Sequence, residues 1–290
     1  MDFAAKVRWH IEHDPLEEVA LRQDKCRVKE LVTDLGIRVA DTLCVTDVAS
    51  SLPFDTLPND CVIKPNHASG WAILRKNGQY FKFGTQQFVL DETGALLPRS
   101  DIFRHELTER EVVDQCDAWL HTRYSVRERS YHLISPVILV EAMITPAAGG
   151  ELMDYRFYTF SGTVRAISVG SPTYRRKKRN VFFTPEWEMI PLTSYSEALP
   201  EPLPTAPARL REMLDAAAVL GAGIDFVRID LYEANGGVVF GEFTFYPHAG
   251  DPDTPTSCNR FNMWLAEGWP LRPLEIHAQH ISSHPLRRAM

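Results

Sequence analysis

Two apolar runs, Ile224 to Tyr232 and Val238 to Phe245, are joined by Asn235-Gly236, and this pair restricts the chain more than any other feature. Asn-Gly between apolar runs signals a tight reversal, so the segment reads as two antiparallel strands. The first run is interrupted by Arg228 and Asp230, two residues apart and therefore on one face of the strand. The return run carries Glu242 in surroundings otherwise too apolar for an acid, and Thr244 follows on the same face. Folding the turn brings Asp230 and Glu242 together. Two carboxylates held close repel unless they share a proton or a cation. Hard oxygen ligands beside an arginine suit Mg²⁺ and a phosphorylated ligand. An ion pair between Arg228 and one of the acids is the plainer alternative.

Composition bounds what can surround this hairpin. The chain has 290 residues, 44% hydrophobic and 24% charged, enough for one large core or two to three modest ones. A net charge of -7 disfavours general nucleic-acid binding. Cys26, Cys44, Cys61, Cys116 and Cys258 are odd in number and far apart, without a Cys-x-x-Cys pair. That pattern predicts reduced thiols packed as small apolar side chains. Met1 to Lys6 begins no signal peptide, and no run approaches the roughly 18 apolar residues of a membrane span. A cytoplasmic, soluble protein is expected.

Leu16, Val19, Ala20, Val28, Leu31, Val32 and Leu35 recur at helical spacing, which predicts one helix over residues 16–35, stopped by Gly36. An apolar stretch follows from Ile37 to Val45. Cys61-Val-Ile-Lys64 reads as a short buried strand, and Trp71–Leu74 and Tyr80–Phe83 as two more, turned at Asn77-Gly78. Residues 106–122 read as an amphipathic helix, Val137–Ile144 as a β-branched strand, and Asp154–Phe160 as a strand turned at Ser161-Gly162. Pro200, Pro202, Pro204 and Pro207 mark a connector to a helix over 207–220. Strands and helices in irregular order predict an α+β fold.

Four further features carry chemistry. Lys64 ends an apolar strand and runs into Pro65-Asn-His-Ala-Ser-Gly70, a small-residue loop able to offer backbone N–H groups to a phosphate. His67 in that loop is either a phosphate donor or a turn residue. Glu141 lies alone in the middle of an apolar strand and needs donors, either from a nucleoside or from a salt bridge to a neighbouring strand. Five consecutive cations at 175–179, among them Lys177 and Arg179, form either a solvated loop or an anion-facing one. His277, His280 and His284 share a spacing that could bind metal, but Pro285 ends any helix and a solvated tail is the plainer reading.

In order along the chain, these segments resemble an ATP-grasp enzyme, and most nearly the TupA-like branch, named for teichuronopeptide biosynthesis. Asp24-Lys25 resembles the family's first phosphate lysine, and Val62-Ile-Lys64 with its loop (His67, Ser69, Gly70) resembles the lid strand and phosphate loop. Ile138 to Ile144 resembles the hinge strand, where Glu141 and the backbone near Met143 would read adenine. Asp154-Tyr-Arg156 resembles the next strand, whose acid lies near the ribose. Arg228, Asp230, Glu242 and Thr244 resemble the metal-binding pair of strands. The likeness covers roughly residues 20–250 and rests on joint order, each motif alone being weak.

The resemblance implies two α+β subdomains gripping ATP: a reduced N-terminal segment (1–60), a lid subdomain (61–140) and a C-terminal subdomain with the metal site (141–290). Only 24 residues precede Lys25, so a truncated N-terminal domain is expected, with substrate chosen by the lid, the basic loop or the C-terminal segment. ATP and Mg²⁺ are the implied cofactors, with Lys25, Lys64, Glu141, Met143, Asp154 and Arg156 around the nucleotide. Arg228, Lys177 and Arg179 are the implied catalytic cations, and Asp230, Glu242 and Thr244 the metal ligands. Thr244 stands where many ATP-grasp ligases have asparagine, which predicts weaker occupancy of a second Mg²⁺. The implied reaction joins a carboxylate to an amine through an acyl phosphate, with an amino acid, a peptide or an anionic glycan as partner. A hydroxyl kinase and a non-catalytic nucleotide-binding protein are the rival readings. A glycosyltransferase, which would need a nucleotide-sugar site, is a third rival reading.

Overall fold

The computed structural model describes residues 1–84, 106–147, 152–170, 181–191, 203–251 and 259–272. Two six-stranded sheets form its frame. The second sheet begins with β1 (Arg38–Val39), while the first is made of β2 (Thr42–Thr46), β3 (Cys61–Pro65), β4 (Trp71–Lys76), β5 (Gln79–Gly84), β6 (Glu106–Leu107) and β7 (Ile138–Ala142). The first sheet runs β2-β7-β3-β4-β5-β6, antiparallel throughout. The second adds β8 (Asp154–Phe160), β9 (Thr163–Gly170), β10 (Val181–Phe183), β11 (Val227–Ala234) and β12 (Gly237–Thr244), in the order β1-β12-β11-β8-β9-β10. Only β1 against β12 is parallel within that sheet. This is the expected α+β architecture.

The hairpin turns form where the sequence supplies residues that tolerate positive φ. Asn77 and Gly78 adopt φ of 51° and 83°, and Ser161 and Gly162 adopt 49° and 80°. Helix α4 (Glu109–Leu120) starts at a reciprocal capping box between Thr108 and Glu111 and buries Val112, Cys116 and Trp119. These side chains join Ile63, Ile73, Ile138 and Val140 to make the core of the first sheet.

The second core is much larger. Phe157, Ile229, Leu231, Phe240 and Phe243 of the sheet pack with Val7 of α1 (Phe3–His13), Val19 of α2 (Leu16–Gln23) and Val28 and Val32 of α3 (Arg27–Asp34). Met213 and Ala217 of α5 (Leu210–Leu220) and Phe261 and Leu265 of α6 (Asn259–Glu267) complete it. Residues 1–60 are thus shared between the sheets: α1 to α3 and β1 pack with the second, and β2 pairs with β7 of the first.

Two helix expectations need correction, and one apolar stretch read without an assigned element divides. The helix predicted over 16–35 is two helices, because Asp24 interrupts it and accepts the N–H groups of Cys26 (2.9 Å) and Arg27 (3.4 Å) on its own Oδ1. Apolar periodicity continues across that break, since both helices pack on one core, so the pattern alone does not reveal it. The Ile37–Val45 stretch is no single element either; β1 and β2 belong to different sheets. The helix predicted over 106–122 spans only Glu109–Leu120, because the Thr108 cap starts it and residues 106–107 pair with β5 instead.

Candidate functional site

The floor of the site is the middle of the second sheet. Register sets Asp230 opposite Glu242 on one side and Arg156 on the other, and sets Arg228 opposite Thr244 and Tyr158. The Arg228 guanidinium donates to both oxygens of Asp230 at 2.7 Å and reaches Glu242 Oε1 at 3.4 Å. Arg156 donates to Asp154 at 2.5 Å, and its Nε lies 3.8 Å from Asp230. The ion pair offered as the plainer alternative therefore exists, and it lies between the two acids expected to hold metal.

A β-bulge aims this cluster. The pairing slips between Asp230 and Leu231, so Gly241 has no partner and Glu242 is brought opposite Asp230. A Cβ on Gly241 would lie 2.7 Å from the Tyr232 ring and 3.0 Å from the Asp230 carbonyl, so only glycine fits. Asp230 is buried at 4% exposure, and burial pushes its carboxyl up to about 6, with Arg228 opposing and Asp154 and Glu242 adding to the rise. A carboxylate so placed gains from any added cation.

Two carboxylates and the Thr244 hydroxyl at adjoining register positions form a hard-oxygen donor set. Among the described residues no three His, Cys, Asp or Glu side chains form a metal cage. Mg²⁺ needs none, because it is ordinarily held by one or two carboxylates and completed by phosphates and water. The residues present fit that ion.

The roof comes from the first sheet and the helix break. Glu141 on β7 accepts from Lys29 of α3 at 2.6 Å and from Lys64 at the end of β3. Burial pushes the Glu141 carboxyl up, but Lys64 and Lys29 outweigh it and hold it below its ordinary range. Of the two partners weighed for Glu141, the neighbouring strand supplies one. Lys25, half-buried at the helix break, donates to the carbonyl of Ala68 in the phosphate loop at 2.5 Å. Burial lowers its ammonium below the usual lysine range, with Glu242 of the floor and Glu141 of the roof opposing and Lys64 adding to the fall. One lysine is thus within electrostatic reach of both sheets.

His67 is buried, with Nε2 3.2 Å from the Thr122 carbonyl and Nδ1 3.3 Å from Asn66 Oδ1. Ser69 bonds the Tyr124 side chain, and Gly70 adopts φ of 74°. Met143 follows the end of β7 and is half-buried. Lys177, Arg179 and the rest of the 175–179 run, together with Cys258, His277, His280 and His284, lie outside the described residues.

Sequence reasoning missed Lys29, Asn66, Tyr124 and Glu128. Lys29 had a signal, falling four residues after Lys25. Glu128 had none, being one acid in a polar stretch, yet it faces the floor. Its carboxyl is pushed up to about 7, first by burial and then by Glu242. Tyr124 packs edge-on against Trp71 and Tyr131 beside it.

Comparison with known proteins matches this architecture to one family. The TupA-like ATP-grasp profile matches residues 5–267. No curated protein matches the sequence. Among solved structures, D-alanine–D-alanine ligase from Helicobacter pylori is 15% identical with a TM-score of 0.45, over 84% of this chain and 60% of that one. L-amino acid ligase from Bacillus licheniformis is 14% identical with a TM-score of 0.46, over 90% and 53%. The ATP-grasp ligase PsnB complexed with minimal precursor is 14% identical with a TM-score of 0.36, over 79% and 54%. The chain spans between about half and three fifths of the length of these proteins. With the profile running from α1 to the end of α6, the chain belongs to the TupA-like ATP-grasp family.

Proposed function

We propose that this protein is an ADP-forming ligase that joins a carboxylate to an amine through an acyl phosphate. The observation that carries the reading is the closure of one cleft by opposed charges. Lys64 pairs with Glu141 and Lys25 lies within its electrostatic reach, while Glu242, which Arg228 ties to Asp230 on the floor, also acts on Lys25. A triphosphate brings about four negative charges, and each opposed pair at ~4 Å contributes roughly 4 kcal/mol at an effective dielectric of ~20. Lys25, Lys64 and the loop through Ser69 and Gly70 would bind its phosphates. Glu141, the backbone at Met143, Asp154 and Arg156 would bind the nucleoside side. Asp230, Glu242 and Thr244 would hold Mg²⁺, which would supply positive charge against the phosphates.

In this scheme phosphate arrival gives Lys64 a second anion in place of part of its contact with Glu141, and Lys29 keeps the Glu141 carboxylate paired. Arg228 keeps one face toward Asp230 and stabilises charge on the acyl phosphate. The protein supplies position and fixed charge rather than covalent chemistry. Glu128, Tyr124 and Tyr131 form the wall beside Glu242 where an incoming amine would meet the acyl phosphate. The branch name points to an amino acid or peptide as one partner, in cell-surface polymer or peptide-like metabolite synthesis.

The test is Mg²⁺-dependent ATP turnover with pooled carboxylates and amines, followed by mass spectrometry. ADP formed only with both partners, and a product lighter than their sum by one water, is the expected result. A phosphorylated product without amine dependence would make the protein a hydroxyl kinase. Tight ATP binding without turnover across the pools would favour a binding module.

A further inference from the structure

Asn66 follows the last residue of β3, and it is 2% exposed. Its amide joins three segments that are far apart in sequence. Nδ2 donates to Asp24 Oδ1 at 3.1 Å and to the Ser135 carbonyl at 3.0 Å, while Oδ1 accepts the Val137 N–H at 2.9 Å. Its backbone N–H donates to the Val137 carbonyl at 3.0 Å, and its carbonyl accepts the Lys25 N–H at 3.3 Å. Asp24 passes the contact on: the same Oδ1 caps Cys26 and Arg27, which makes the helix break at Lys25. The Lys25 ammonium then returns to Ala68, two residues beyond Asn66.

One side chain therefore links the helix break carrying Lys25, the loop that follows Lys64, and the lead-in to the strand that carries Glu141. The requirement is narrow. Only a carboxamide offers two donors to two acceptors and an acceptor to an N–H at the same time. An aspartate here would set its carboxylate against Asp24 and against the Ser135 carbonyl.

We propose that Asn66 is a positioning residue for nucleotide phosphates: through Asp24 it fixes Lys25 relative to Lys64, so that both ammonium groups meet one triphosphate. This rests on the assignment of Lys25 and Lys64 as phosphate ligands made above. An amide that merely stabilised the fold would alter melting temperature without acting through a particular lysine.

The experiment is a double-mutant cycle on the full chain, reading Mg·ATP affinity by calorimetry, with melting temperature measured alongside. Asn66→Ala is expected to weaken binding about ten-fold, equivalent to ~1.4 kcal/mol. In a Lys25→Ala background the same change is expected to cost less than about two-fold, because the lysine that Asn66 places is gone. An equal loss in both backgrounds overturns the proposal, as does unchanged affinity in Asn66→Ala alone. Unchanged affinity in Lys25→Ala sinks the phosphate-lysine assignment itself and this inference with it. Should Asn66→Ala fail to fold, Asn66→Asp and its combination with Asp24→Asn serve instead. The single change opposes two carboxylates and is expected to weaken binding. The pair restores a donor facing an acceptor between positions 24 and 66, leaving only the Ser135 carbonyl opposed, and is expected to recover at least about two-fold of the loss. No recovery overturns the proposal.

Discussion

On the second sheet the charged side chains are paired with one another along the strands that carry them. Arg228 holds Asp230, Arg156 holds Asp154, and both arginines lie within 3.8 Å of Asp230. These side chains stand on β8 and β11, backed by a large aromatic core around Phe157, Ile229 and Phe243. On the first sheet the pairing runs between elements instead. Glu141 of β7 is held by Lys64 of β3 and Lys29 of α3, and Lys25 leans on the loop carbonyl of Ala68. Its core is smaller, built mainly on Ile63, Ile73, Val112 and Trp119, and the outer strand β2 leaves Leu43 and Val45 exposed. The floor is therefore assembled by folding alone. The roof keeps its cations on internal partners, Glu141 and the Ala68 carbonyl, which under the proposed function phosphates would replace.

The largest effect that would separate the two sides is on stability. Phe157→Ala should cost about 3–5 kcal/mol, whereas Ile73→Val in the smaller core should cost about 0.5–1.5 kcal/mol. Denaturant melts of the two variants test this, and a loss well below either range would show that side chain to be less tightly packed than its burial implies. Next comes chemistry. Lys64→Ala on the roof and Asp230→Asn on the floor should each lower turnover by about 10²–10³-fold, as loss of one preorganised electrostatic contact does. Lys64→Ala should leave the melting temperature nearly unchanged, because Lys29 still pairs Glu141. Near-normal turnover in either purified variant would contradict the site assignment.

The smallest effect is a pH dependence at the boundary between the two sides. The Glu128 carboxyl is pushed up to about 7 from an ordinary value of 4.5, so the folded state holds its proton more tightly than the unfolded state. Ionising it costs stability, and that cost grows as pH rises from about 4.5 to about 7 and is then constant. Glu128→Gln removes the cost. The melting temperature of the variant relative to the parent should rise across that window and level off above it. A difference independent of pH would place Glu128 in solvent, away from Glu242.

Much of the floor was legible in the residues themselves. Asn235-Gly236, the two-residue spacing of Arg228 and Asp230, and an acid in an apolar return run lead to facing carboxylates by alternation alone. The bulge that sets them opposite each other was not, because Gly241 looks like any strand glycine until Tyr232 closes over it. On the roof, Lys64 and Glu141 stood out as charges in apolar strands, whereas Lys29 had only its spacing from Lys25. Glu128, near the floor, had no signal, because the carboxylate that acts on it, Glu242, lies more than 100 residues away along the chain.

The sequence by itself determined the strands, their turns and the identity of most charged groups, because period-two alternation and turn chemistry are local properties. Tertiary structure alone decided where the helix over 16–35 breaks, which sheet receives each half of the 37–45 stretch, and which cation each carboxylate keeps. Those choices depend on buried polar groups finding partners across the chain. Asp24 breaks a helix that apolar periodicity would continue, because Asn66, arriving from another strand, completes its set of donors.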